Sequence, residues 1–410
     1  MIKYSKKILV TSLVTGMAFV SLTGCSMFGG GSSEGNETTA ESAAATENVE
    51  TTQATEAPQE TEIAGLESAG AVQTDSAKFF TIESFKDGYY VIDTNRGKTS
   101  QRILVVPEGK EAPEGTGKDV VIVKQPVNSS RVDSKSLISM LETINPELLN
   151  KVNLVAMKRE NVDIDSLAAN MDSGVTEYSG STKNPDVELI KSKAPDLYLA
   201  NSDLLGQEEY TKLKEAGVDP VIAYYHVEEE PFGRIEWVKV LGALYGCMDE
   251  AQAFYQNQKD VMAAVDASKA ADKTFIMFCI NKEKNTAYVR RQDDVIAKIG
   301  SMAGGKNAMT DTKGMSWEEM TIDEFAEKFK DTDYMIYMTN HGDVAETISD
   351  LKGFSEKIGE FKAVANNGIW RTSKDYLLMN DYGDMAKELN DIFSGANTGE
   401  NTGHFTHMTD

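Results

Sequence analysis

Apolar and polar positions along this chain repeat with two periods, and the change from one to the other divides it. Residues 79–83 and 89–94 alternate β-branched or aromatic with polar positions around Lys86-Asp87-Gly88, which predicts a hairpin. Residues 102–106 add a third strand, and 110–118 is a loop of Gly, Pro and charge. Then Val120-Val121-Ile122-Val123 runs without a break, as in a strand buried on both faces. From there helix-period segments (137–144, 185–193, 210–217) alternate with short apolar ones (153–157, 194–199, 220–225). Such alternation predicts a parallel sheet with helices on both faces.

Ile235, Val238, Leu241 and Leu244 recur at helical spacing and stop at Gly246. A second helix starts near Asp249 and runs to about Asp266, close to 30 Å at 1.5 Å per residue. That length is enough to bridge two bodies. Beyond it the pattern restarts: strands at 274–280, 287–289, 334–338 and 368–371, helices at 294–302, 322–329, 350–358 and 383–393. The fold class is therefore α/β, with two lobes joined once.

The first 77 residues do not share this pattern. Lys3, Lys6 and Lys7 precede an apolar run from Ile8 to Val20, then Leu22-Thr23-Gly24-Cys25. A basic start, a short apolar stretch and small residues before a cut site predict a secretory signal, too short to span a bilayer. Leu-Thr-Gly-Cys resembles the bacterial lipobox. That resemblance implies lipidation at Cys25 and anchoring on the extracytoplasmic face of a cell membrane; an ordinary signal with an incidental cysteine is the alternative. Residues 26–77 hold no Lys or Arg and almost no large apolar side chains, so they read as a disordered acidic tether. The expected division is 1–25 signal, 26–77 tether, 78–248 first lobe, 249–268 linking helix, 269–396 second lobe and 397–410 polar tail.

A formal net charge of −24 argues against a nucleic-acid partner. Cys247 and Cys279 lie in apolar stretches and read as buried thiols, with a bridge between them left open. The G-x-S-x-G at Gly31 to Gly35 lies in the low-complexity stretch after the lipobox rather than at a strand-to-helix turn, and no H-E-x-x-H, P-loop or G-x-G-x-x-G occurs, so no enzyme is expected.

Several segments together resemble the iron-siderophore and cobalamin periplasmic binding family. They are Asn184-Pro185-Asp186-Val187-Glu188-Leu189-Ile190, Ala194-Pro195-Asp196-Leu197-Tyr198-Leu199, and Leu213 through Val221. Leu241-Gly242-Ala243-Leu244-Tyr245-Gly246, Ile299 through Gly305, and Thr321-Ile322-Asp323-Glu324-Phe325 continue the series. No single segment is specific; their order and spacing are. The resemblance implies two Rossmann-like lobes, a single long linking helix and a ligand cleft between the lobes. It also implies an ABC-transporter permease as partner, a monomer, and no cofactor beyond the ligand, most simply an iron chelate. Haem or a corrinoid in the same cleft is the alternative, as is a surface lipoprotein for adhesion or signalling.

In that family one acid on each lobe meets permease arginines. By register these are Glu188 and Asp323, or Glu324 if the register slips by one; the alternative is a solvated helix face. Loops after strands nominate Ser129, Ser130, Arg131, Tyr178, Asn201 and His226 as ligand-binding. In the second lobe the same reasoning nominates Arg290, Arg291, Trp370 and Tyr376. Adjacent arginines in so acidic a chain suit an anion, since guanidinium donates in a planar fork; an exposed pair is the alternative. Arg234 either reaches the cleft or pairs with Glu228-Glu229-Glu230. Four scattered histidines do not make a site for a bare transition metal.

Overall fold

The structure, a computed structural model, describes residue 63 and residues 65–310, 314, 316–339 and 342–410. Cys25, the predicted signal and most of the predicted tether lie outside these residues.

The described chain opens with an appended five-stranded sheet in the order β1-β2-β3-β4-β5. Its strands are β1 (Ser68–Val72), β2 (Phe80–Phe85), β3 (Tyr90–Arg96), β4 (Thr99–Val106) and β5 (Val120–Lys124). The predicted hairpin and third strand are β2, β3 and β4. Two expectations are corrected here. First, Ser68–Val72 was assigned to the tether, yet it pairs antiparallel with β2. Second, Val120–Val123 was assigned to the first lobe, yet β5 pairs only with β4, at the sheet edge. Ile122 there is 43% exposed, so the apolar run is buried on one face only.

The first lobe holds five parallel strands: β6 (Ser130–Val132), β7 (Val152–Val155), β8 (Glu177–Tyr178), β9 (Leu197–Asn201) and β10 (Val221–Ala223), in the order β10-β9-β6-β7-β8. Its helices are α1 (Lys135–Ile144), α2 (Asp165–Asp172), α3 (Val187–Lys193), α4 (Glu208–Glu215), α5 (Pro231–Ile235) and α6 (Val238–Tyr245). Gly246 closes α6 at φ 74°, a left-handed turn that glycine adopts without a Cβ clash. The linking helix α7 (Met248–Ala263) follows and packs on α1, α6 and the last helix of the second lobe.

The second lobe contains β11 (Thr274–Asn281), β12 (Thr286–Arg290), β13 (Lys306–Asn307), β14 (Trp317–Thr321), β15 (Tyr334–Tyr337), β16 (Ile369–Thr372) and β17 (Phe405–His407). The order is β14-β12-β11-β15-β16-β17, with β13 also on β11. Strands β11, β15 and β16 are parallel, and the outer ones run antiparallel. Helices α8 (Val295–Met302), α9 (Ile322–Phe329), α10 (Ile348–Phe354), α11 (Lys362–Ala365) and α12 (Tyr382–Phe393) complete it. One contiguous apolar core runs through both lobes.

The predicted polar tail is also corrected, because β17 extends the sheet beside β16. His404 seals this return. It is buried, with Nδ1 2.9 Å from Glu388 and Nε2 2.9 Å from Asp381. Burial alone would lower its pKa, but the two carboxylates outweigh that and push it up to about 9.

Two buried carboxylates hold the strap between β1 and β2. Glu236 accepts the N–H groups of Asp75, Ser76 and Ala77, each at 2.8 Å. Glu228 accepts those of Lys78 and Phe79 at 3.0 and 3.1 Å, and the Trp237 indole at 3.1 Å.

Candidate functional site

The lobes meet where parallel strands end, which is where open α/β sheets form crevices. From the first lobe, Ser136 and Ser139 of α1, just after β6, donate to the carbonyls of Leu377 and Leu378 at 2.9 Å. Lys135 lies 3.5 Å from Asp375 and 2.7 Å from Asp163. Lys298 of α8 reaches back to the Glu229 carbonyl at 2.8 Å and the Glu230 carboxylate at 2.9 Å. Between these contacts Tyr382 is buried, within electrostatic reach of Arg234 and Tyr225 on one side and Asp294 and Tyr376 on the other.

On the first-lobe side, β10 runs into a turn carrying Tyr225 and His226. Ser134, the N-cap of α1, shares a hydrogen bond with the Tyr225 hydroxyl. Arg234 donates to the His226 carbonyl at 2.9 Å, and its Nε has no partner. His226 Nε2 lies 3.3 Å from the Ser202 hydroxyl, and its Nδ1 has no partner. Burial, with help from Arg234 and Arg96 and against Asp203, lowers the His226 pKa to about 4, so the ring is neutral. Asn201 ends β9, and its side chain accepts Asp203 N–H at 3.1 Å to cap the next turn.

On the second-lobe side, β12 ends at Arg290. Strand alternation sends Arg290 and Arg291 to opposite faces. Arg290 is 5% exposed, with its guanidinium 3.6 Å from the Trp317 ring centroid and 4.3 Å from that of Tyr376. Its Nη1 donates to Asp294 at 2.8 Å. Asp294 in turn caps α8, accepting Ile296 N–H at 2.9 Å and Ala297 N–H at 3.3 Å. Among the described residues the Nε and Nη2 of Arg290 have no well-formed hydrogen bond, although the Tyr376 side chain acts on the guanidinium. Arg291 is instead paired with Glu318 on β14 at 2.8 Å. That local ion pair replaces the joint anion site expected of the two arginines.

Five more of the nominated residues lie away from the seam. Ser129 and Ser130 stand at the start of β6, the end away from the seam. Ser129 is tied to Asp196, and Ser130 is buried against the Lys151 carbonyl and the Tyr245 hydroxyl. Arg131 is wholly buried, paired with Asp133 at 2.9 Å and bonded to Ser179 and Gly180. The slip began with β5: once β6 is the lobe's first strand, the seam loop is Asp133 to Lys135. Trp370 is 1% exposed within the sheet, its ring 4.7 Å from that of His407 on β17. Tyr178 is 39% exposed and lines an open hollow of about 840 Å³ beside α3 and α4, together with Glu188, Lys191 and Lys212.

The acids expected to meet a permease are exposed. Glu188 is in the first turn of α3; Asp323 and Glu324 are in the first turn of α9. Asp323 pairs with Lys357 at 2.7 Å, while Glu324 closes a capping box with Thr321.

A sequence model of the periplasmic binding proteins matches residues 146–376, more than half of the chain. The chain belongs to the periplasmic binding protein family. An uncharacterised lipoprotein of Methanocaldococcus jannaschii is 24% identical over 287 residues, 68% of each chain. Among solved structures, a periplasmic haem-binding protein from Pseudomonas aeruginosa superposes with a TM-score of 0.52 at 15% identity, over 69% of this chain and 99% of that one. The periplasmic vitamin B12 binding protein of Vibrio cholerae gives 0.50 at 14%, over 66% and 98%. The motif resemblance and the two-lobed α/β fold agree with these matches.

Sequence reasoning missed Trp317, Tyr225, Ser134 and Tyr382. A tryptophan next to two glutamates on a half-exposed strand gives no period, so only the ring stacking on Arg290 reveals Trp317. The signal for Ser134 was available: Ser before a helical run is an N-cap, and a helix start after a buried strand faces a seam.

Proposed function

We propose that this chain captures a metal chelate, a ferric siderophore foremost, between its lobes and delivers it to an ABC importer. The observation that carries this reading is the family fold, whose strand ends meet at one seam bridged by the single helix α7. As a member of a solute-binding family the chain works by capture and release rather than catalysis. A chelate suits the seam because, among the described residues, no three His, Cys, Asp or Glu side chains converge to hold a bare ion. Glu188 and Asp323, with Glu324 beside it, would dock on permease arginines, setting rate and register more than affinity. Cys25 would carry the lipid that keeps the chain at the outer face of the membrane. One observation favours haem or a corrinoid as a second reading: His226 is neutral, with a free ring nitrogen suited to an axial bond.

The test is thermal unfolding of the full chain in detergent with ferric citrate, a ferric hydroxamate, a ferric catecholate, haem and cyanocobalamin. A true ligand at a hundredfold excess over its Kd stabilises by about 2.7 kcal/mol and raises the midpoint. Stabilisation by haem or the corrinoid alone, lost in His226→Ala, selects the second reading. No stabilisation by any of the five would sink capture in favour of an adhesion or signalling role.

A further inference from the structure

We infer that the Nε/Nη2 edge of Arg290 is a carboxylate-specific subsite of the seam, so the ligand carries at least one free carboxylate. This rests on the capture reading above. Three features define the subsite. The guanidinium packs on two rings, 3.6 Å from the Trp317 centroid and 4.3 Å from that of Tyr376. Its Nη1 is committed to Asp294 at 2.8 Å, and Asp294 is itself fixed as the N-cap of α8. What remains is the Nε/Nη2 edge, buried and without a well-formed hydrogen bond among the described residues.

A buried charged donor pair left unbonded is costly. Among the described residues neither atom has a well-formed hydrogen bond, and beside the Tyr376 hydroxyl no carboxylate faces this edge, so the acceptor comes from outside. The same protein shows what that edge takes. Arg102 grips Asp93 through Nε and Nη2 at 2.7 and 3.0 Å, and Arg159 grips Asp172 the same way at 2.8 and 2.9 Å. Each is a side-on fork holding both oxygens of one carboxylate. Arg290 presents the same Nε/Nη2 edge, held by two rings and an aspartate.

Its position is at the seam. Tyr376 precedes Leu377, whose carbonyl is held by Ser136 of the first lobe at 2.9 Å. Asp294 and the first-lobe Arg234 both act on Tyr382. A carboxylate entering the fork therefore arrives between the lobes, with the unpartnered Arg234 Nε as a second donor from the other side. Carboxylates of a siderophore and propionates of haem share this chemistry. Cyanocobalamin, whose side chains end in amides, does not.

The test has two arms. In the first, the ¹⁵N–¹H signal of Arg290 Nε, assigned by its loss in Arg290→Lys, is followed with acetate, citrate and the diamagnetic gallium(III) citrate. A downfield shift saturating with the anion is expected. An unmoved signal with all three overturns the subsite, whatever the chelates do. In the second arm, affinities of wild type and Arg290→Gln are compared. Ferric citrate, or haem, should bind about 10–100-fold more weakly to the variant, the value of a charge-assisted fork. Arg290→Lys should fall between, since an ammonium lacks the fork. Whichever of the two loses affinity identifies the carboxylate source. If carboxylate chelates bind both proteins equally, or cyanocobalamin is the tight ligand, capture stands and the subsite fails. If acetate and citrate shift the signal but no chelate binds, the subsite stands and the capture reading fails.

Discussion

Arg131 in the first lobe and Arg290 in the second are built alike. Each is buried, each lies over a tyrosine ring (Tyr198 and Tyr376), and each pairs with an aspartate within four residues, Asp133 and Asp294. They differ in what is left over. Each guanidinium nitrogen of Arg131 faces a protein oxygen: Nε lies 2.9 Å from Asp133 as an ion pair, Nη1 donates to Ser179 and Nη2 to Gly180. The Nε and Nη2 of Arg290 face no carboxylate among the described residues. A buried cation whose nitrogens all face fixed oxygens is framework; one with an edge left over is a receptor. Burial and charge alone do not separate the two, whereas a donor-by-donor account does.

The comparison is most exposed to failure at Arg131. Replacing it by Met leaves Asp133 buried without its cation, and breaking such a pair costs about 3–5 kcal/mol. Urea unfolding should show that loss, and an unchanged midpoint would mean Arg131 is no more framework than Arg290. A third buried cation allows the charge to be removed without mutation. His404 has its folded pKa raised to about 9 above an ordinary 6.5, so the fold holds an extra proton. Its contribution is fully present below about pH 6.5 and is lost as the pH rises through about 9. Stability should fall by roughly 2–3 kcal/mol over that window and show no such fall in His404→Gln. Arg290→Met should cost less, about 1–3 kcal/mol, because Asp294 keeps the Ile296 and Ala297 N–H groups and two unbonded donors are removed with the guanidinium. A loss as large as that of Arg131→Met would erase the distinction. The smallest effect is optical. Trp317 stacks on the receptor cation while Trp370 lies in the sheet and Trp237 packs on Phe80. Ligand-dependent emission should therefore vanish in Trp317→Phe with stability nearly unchanged.

Most helices and strands of both lobes were legible in the sequence because they are amphipathic or continuously apolar over enough residues. The predicted helix at 322–329 coincides with α9, whose Thr321/Glu324 capping box marks its start. What was illegible lacks a period. Strand β6 is three residues, Ser-Arg-Val, buried through bonds to Arg131 and Ser130 rather than through apolar content. Missing it shifted the seam loop by one strand and turned two serines and a framework arginine into ligand contacts. Strands β1 and β17 are short and polar or small, so composition placed them in a tether and a tail. Only pairing with a distant partner defines them, and pairing is non-local. Arg290 and Arg291 are visible as a pair, but their fates part at the end of β12, where strand alternation turns one inward and the other toward β14.

The strap at 75–79 has a mechanical side. Strand β1 is exposed along nearly its whole length and sits at a sheet edge, so tension on the chain ahead of it peels that strand first. Peeling then meets five N–H groups gripped by Glu236 and Glu228, two of the best-buried carboxylates in the molecule. Peeling residues 65–72 would lengthen the free chain by roughly 25 Å at the length of an extended chain before the carboxylate grip on 75–79 is reached.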